Sequence, residues 1–128
     1  MAGADIGTVI NPQLAAGQVH GGLAQGWSMT VLEDTPYDSE DGDLVSGGSI
    51  ANYKVPTSQD MLALDDLTVF FADTYEPTGP YGAKGIGEGA LNPVAGAVAN
   101  AIQNALGVRF FHLPITPIRI LEALKEEG

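Results

Sequence analysis

Residues Asn92 to Gly107 read NPVAGAVANAIQNALG, and from this stretch the rest of the fold can be worked out. Val94, Val98, Ala101, Ile102, Ala105 and Leu106 fall along one side of a helix, with Asn100, Gln103 and Asn104 elsewhere. Gly107 supplies the C-terminal stop. At the other end, Asn92 can accept a bond from a free backbone N–H. Pro93 suits the first helical position because its missing N–H is not needed there. The same pairing of cap and proline recurs at Asn11-Pro12 and Thr116-Pro117. Helices are therefore predicted to begin at Pro12, Pro93 and Pro117.

The first of these runs from Pro12 to about Glu33, with Leu14, Val19, Leu23, Trp27, Val31 and Leu32 among its apolar positions. It also contains Gly17, Gly21, Gly22 and Gly26. Each costs about 1 kcal/mol relative to alanine in a helix interior. Their spacing places small residues on adjoining strips where another backbone or a ligand can come close, tight packing being the ordinary explanation. The third helix, PIRILEALKE, presents Ile118, Leu121 and Leu124 before its charged end. Short segments rich in β-branched and aromatic residues predict strands at Asp5 to Ile10, Asn52 to Val55, Leu67 to Ala72 and Val108 to Leu113. The expected class is α+β: a single domain over residues 1–128, with a small mixed sheet, a long glycine-containing N-terminal helix, a second amphipathic helix and a short C-terminal one.

Asp34, Asp38, Glu40, Asp41 and Asp43 lie among turn formers in DTPYDSEDGDLVSGG. The glycine and terminal glutamate spacing of an EF-hand is absent, so this stretch reads as a solvated hairpin tip. A formal net charge of -11 disfavours nucleic acid and anionic lipid as partners. No apolar run reaches membrane-spanning length and the first residues do not read as a signal peptide, so a cytoplasmic location is expected. With no cysteine, the chain carries no thiolate nucleophile, iron–sulfur ligand or cysteine-held zinc. His20 and His112 have no metal-type spacing, and no residue is assigned as a metal ligand.

The densest chemical signal is TGPYGAKGIGEG, Thr78 to Gly89, where five glycines surround one carboxylate, Glu88. Such spacing is explained where the main chain takes positive φ or passes close to something bulky. GIGEGA formally matches a dinucleotide-binding pattern, but no strand immediately precedes it and no acid lies about 20 residues on. A P-loop fails because Gly85 follows Lys84. No serine sits in a nucleophile elbow, and paired-carboxylate hydrolysis is weak because Glu76 and Glu88 are the only acids nearby. What remains is general-base work by Glu88, against the alternative of a mobile surface loop whose glutamate faces water.

EPTGPYGAKGIGE, taken with DIGTVINPQLAAGQVHGGLAQG and NYKVPTSQD, resembles the C-terminal part of the molybdopterin-binding catalytic subunit in the xanthine dehydrogenase and aldehyde oxidase family of molybdenum hydroxylases. The three segments lie in the family's order between about Asp5 and Leu124. The resemblance implies oxidative hydroxylation of an N-heterocycle or aldehyde, with water as the oxygen source. Glu88 would be the active-site base. Gln18 would contact the molybdopterin, and Gly85, Ile86 and Gly87 would line the same centre. Partners implied are the remainder of the subunit, iron–sulfur and FAD domains or subunits, and a small-molecule substrate. His20 stands where the family commonly carries an acid, and Lys84 reads as a surface cation paired with a nearby carboxylate. Because most of the family's subunit is absent, the isolated chain is expected to be inactive and prone to self-association. The competing reading is a non-catalytic scaffold domain of the same fold.

Overall fold

The structure, a computed structural model, describes residues 1–45, 48–61 and 63–126. In chain order its elements are β1 (Ala2–Ala4), α1 (Pro12–Val31), β2 (Val69–Phe71), α2 (Val94–Leu106) and α3 (Pro117–Glu126). Short 3-10 turns occur at Ile50–Asn52, Leu64–Asp66 and Pro80–Gly82. The class is α+β, as the sequence predicts. Two compact units share the chain: Met1–Gly26 with Met61–Val94, and Trp27–Asp60 with Ala95–Gly128.

In the first unit β1 and β2 run parallel, with Gly3 opposite Phe70. A Cβ on Gly3 would lie 2.2 Å from the Phe70 ring, so only glycine lets the ring sit there. The predicted strand Asp5 to Ile10 is corrected: β1 stops at Ala4, and residues beyond it pair only through one isolated bridge, Gly7 to Ala83. The cause is local. Asp5 Oδ1 accepts the Gly7 N–H at 3.2 Å and Gly7 takes φ 62°, an Asx-type turn that competes with strand extension.

Helix α1 starts where predicted. Asn11 Oδ1 accepts the Leu14 N–H at 3.0 Å, and the Asn11 carbonyl accepts the Ala15 N–H at 3.0 Å. Ala15 and Val19, one turn apart, are buried, as are Ile6 and Val94. The helical glycines divide into two kinds. A Cβ on Gly22 would lie 2.9 Å from that of Ala90, and one on Gly26 would lie 2.6 Å from that of Val94. Gly17 and Gly21 have nothing within 4 Å of that position. One strip is therefore close packing and the other is open.

Helix α2 begins at Val94, one residue later than predicted, because the Val94 N–H is taken by the Leu91 carbonyl at 3.2 Å in the preceding turn. Gly107 ends it as predicted, with φ 80° and its N–H on the Gln103 carbonyl at 2.8 Å.

In the second unit α1 ends at Val31 and not at Glu33, since the N–H groups of Leu32 and Glu33 both return to the Ser28 carbonyl. Hydrogen bonds from the Ser28 hydroxyl, and next from the Tyr53 hydroxyl, hold the Glu33 carboxyl below its ordinary pKa. Tyr53 lies in the predicted strand Asn52 to Val55, which is not a strand. Its N–H closes the 3-10 turn onto Ile50, and the side chain is tied to Glu33. Val108 to Leu113 likewise forms no strand and bends at His112 and Leu113, and β2 is shorter than predicted. β-branched and aromatic content marks a half-buried extended surface, and a partner must still be present to make it a strand.

The acidic stretch forms the predicted hairpin tip, with Tyr37 bridged to Leu44 and Asp38 N–H on the Asp43 carbonyl at 2.8 Å. Thr116 caps α3, its Oγ1 accepting the Arg119 N–H at 3.3 Å. The apolar strip of α3 faces outward: Ile118 is 67% and Leu121 60% exposed, and nearby in sequence Phe111 is 80% exposed. Among the described residues no helix is long and apolar enough to cross a membrane.

Candidate functional site

The first unit builds the candidate site around the glycine-rich turn. Its entry is rigid. The Gly82 carbonyl accepts the N–H of Thr8 at 2.9 Å and of Glu76 at 3.0 Å, and Gly82 itself takes φ 77°. A Cβ there would lie 2.2 Å from the Tyr75 ring, so the glycine is required twice over. Next, the Lys84 N–H donates to the Ile6 carbonyl at 2.8 Å, and Lys84 Nζ donates to Asp5 Oδ2 at 2.7 Å.

Beyond Lys84 the chain changes character. Among the described residues, the backbone N–H groups of Gly85, Ile86, Gly87 and Glu88 donate to no protein acceptor. An added Cβ at Gly85 or Gly87 meets nothing within 4 Å. Glu88 is exposed, and its carboxylate has no hydrogen-bond or ion-pair partner among the described residues. The turn closes through the Gly89 N–H on the Ile86 carbonyl at 3.3 Å and the Leu91 N–H on the Glu88 carbonyl at 3.0 Å.

Helix α1 supplies the second anchor: Gln18 Nε2 donates to the Gly87 carbonyl at 2.8 Å, across 69 residues of sequence. Because Gly22 and Gly26 lack side chains, the same helix lies close against Ala90 and Val94, just past the turn. Gln18, Lys84 and Ile86 help line a recess of about 290 Å³, along with Ile6, Thr8 and Leu14. Gln18, distant in sequence from the consecutive Gly85, Ile86, Gly87 and Glu88, is thus brought beside them. His20 and His112 make no such grouping, and among the described residues no three or more histidine, cysteine, aspartate or glutamate side chains could hold a metal ion.

The reading of Lys84 as half of an ion pair holds, but its partner, Asp5, was not singled out from the sequence. Asp5 takes hydrogen bonds from Lys84, the Thr74 hydroxyl and the Gly7 N–H, and these hold its carboxyl at about 2, below its usual 3.8. A signal was present in the D-x-G spacing of Asp5 and Gly7, which favours an Asx turn. The sign of the resulting linkage follows. A carboxyl depressed on folding stabilises the folded form above pH 3.8, and this contribution disappears as pH falls through about 2. Asp5→Asn is therefore expected to be less stable than wild type at neutral pH, with the two denaturation midpoints converging below pH 2. A difference independent of pH would show that the charge contributes nothing.

A molybdopterin fits this donor set. The exposed run of backbone N–H groups offers donors to ring and phosphate acceptors, the Gln18 amide lies beside it, and bare glycine leaves room for a bulky group.

The family described as Molybdopterin cofactor-binding domain matches residues 1–62. The xanthine dehydrogenase molybdenum-binding subunit of Escherichia coli O157:H7 is 39% identical over 124 residues, covering 97% of this chain and 16% of the relative. The aldehyde oxidoreductase of Megalodesulfovibrio gigas is 37% identical, covering 95% of this chain and 13% of that protein. The crystal structure of quinoline 2-oxidoreductase from Pseudomonas putida 86 superposes with a TM-score of 0.85 at 36% identity, over 97% of this chain and 16% of that one. The chain spans about one eighth to one sixth of the length of such relatives. With its glycine-rich turn and its Gln18 anchor, it belongs, as a segment, to the xanthine dehydrogenase and aldehyde oxidase family of molybdopterin-binding subunits.

Proposed function

We propose that this chain supplies the general base and one wall of the molybdopterin site in a molybdenum hydroxylase. The observation that carries the reading is the Gln18 to Gly87 hydrogen bond, which brings an exposed amide and an exposed carboxylate-bearing glycine turn to the same place. Molybdopterin, when bound, supplies the molybdenum that takes up electrons from the substrate. The protein residues do the rest. Gln18 and the free N–H groups of Gly85 to Gly87 hold and orient the cofactor, and Glu88 accepts a proton at its carboxylate. Its freedom from internal partners supports this role, since neither carboxylate oxygen is occupied by a protein donor among the described residues.

The substrate class is an electron-poor carbon in an N-heterocycle or aldehyde, in keeping with the relatives' names. Electrons leave through iron–sulfur and FAD groups on partner domains or subunits. The remainder of the molybdenum-binding subunit covers the exposed apolar side chains of Phe111, Ile118 and Leu121, which the chain alone leaves in water.

Purified alone, the 128-residue chain is expected to hold no stoichiometric molybdenum and to show no turnover. Co-expressed with the rest of the subunit, it is expected to join a complex in which both appear. Elemental analysis of the two preparations decides the matter, and molybdenum retained by the chain alone would overturn the shared-site reading.

A further inference from the structure

The stretch that carries Glu88 is loosely made, yet a general base must be held within hydrogen-bond reach of the proton it takes. Between Lys84 and Glu88 lie only Gly85, Ile86 and Gly87, whose N–H groups have no protein acceptor among the described residues. Besides the turn's own bonds, from the Gly89 N–H to Ile86 and from the Leu91 N–H to Glu88, restraint from elsewhere in the chain comes at the ends. At one end is the Gln18 to Gly87 bond. At the other is Lys84, fixed twice: by its N–H on the Ile6 carbonyl and by its Nζ on Asp5.

Asp5 is itself immobilised. Its carboxylate takes three donors, from Lys84, Thr74 and the Gly7 N–H, and it directly follows β1, whose Ala4 carbonyl accepts the Ala72 N–H at 2.9 Å. The neighbouring Glu76 is occupied by the Thr78 N–H and hydroxyl, so it has donors of its own without Lys84. An isolated, partly exposed ion pair is worth little. One whose carboxylate is pinned by two further donors, four residues from the base, can instead act through geometry.

We propose that the Asp5–Lys84 ion pair, braced by Thr74, is a positioning device that sets the Glu88 turn against the Gln18 anchor. The inference rests on the general-base reading of Glu88 given above.

The test uses the complete cofactor-loaded subunit with Asp5→Asn, Lys84→Met, Lys84→Arg and Glu88→Gln, followed by hydrogen exchange over residues 82–91 and by steady-state kinetics. Asp5→Asn and Lys84→Met are expected to speed exchange in that segment by about 3- to 10-fold. They are also expected to lower kcat by roughly 10-fold with little change in KM, because misplacement of a reacting group acts on the chemical step. Lys84→Arg, which keeps the pair, is expected to retain wild-type exchange and most of kcat. If Glu88→Gln is inactive while both pair-breaking variants keep wild-type exchange and kcat, the positioning role is overturned and the base stands. If Glu88→Gln turns over normally, the base itself is overturned. Should Asp5→Asn fail to fold, Lys84→Met against Lys84→Arg carries the comparison alone.

Discussion

In the complete subunit, Glu88→Gln is expected to lower kcat by about 10²–10⁴-fold while molybdenum content stays at the wild-type level. The amide has nearly the size of the carboxylate but cannot take up a proton at working pH. The bonds that shape the turn all use main chain: the Gly89 N–H to Ile86, the Leu91 N–H to Glu88, and the Gln18 side chain to the Gly87 carbonyl. None of them needs the Glu88 carboxylate, so the substitution separates chemistry from architecture. Turnover measured beside molybdenum analysis checks both halves, and equal activity in the two proteins would end the catalytic assignment.

Gly7→Ala is expected to destabilise the chain by roughly 2–6 kcal/mol, from two independent causes. A non-glycine residue in the left-handed region costs roughly 1–3 kcal/mol, and Gly7 has φ 62°. Its new Cβ would also lie 2.2 Å from the Gly82 carbonyl oxygen and 3.2 Å from the Lys84 nitrogen. Both are backbone atoms and cannot rotate away. Moving them strains the Thr8 to Gly82 and Lys84 to Ile6 hydrogen bonds, so the overpacking adds roughly 1–3 kcal/mol. Against a net stability of about 5–15 kcal/mol for a folded domain, this is a large loss. Gly85→Ala is the control, since nothing lies within 4 Å of its Cβ position. Urea denaturation of both variants checks the claim, and equal midpoints would refute it.

How far these features can be read from sequence depends on how local their causes are. The caps at Asn11 and Thr116 and the stop at Gly107 involve residues within a turn of one another, and all three are found where the sequence places them. The α+β class follows from the same local signals. Strand boundaries did not follow, because pairing belongs to two segments at once: the parallel partner of Ala2–Ala4 is Val69–Phe71, far along the chain. Asp5 to Ile10 has the composition of a strand, yet an Asx turn at Gly7 overrides it. Of the α1 glycines, Gly22 and Gly26 proved to be tightly packed and Gly17 and Gly21 open, which their equal spacing could not distinguish. For the site, family resemblance pointed to Gln18 and to the Gly85 to Glu88 stretch as one centre, and the residues are neighbours. The D-x-G spacing of Asp5 and Gly7 marks only a local turn, and nothing in the sequence ties Asp5 to Thr74 and Lys84 until the chain brings them together.

The bonds that tether the glutamate turn also determine when it can exist. Gln18 to Gly87 closes 69 residues of chain and Asp5 to Lys84 closes 79, whereas every cap and helix closes within a few. Ordering a long intervening segment costs entropy before any contact rewards it. As the polypeptide leaves the ribosome, α1 can coil early, but Gln18 has nothing to grip until residue 87 has been synthesised. Glu88, the base of the proposed reading, is among the last parts of its unit to find its place.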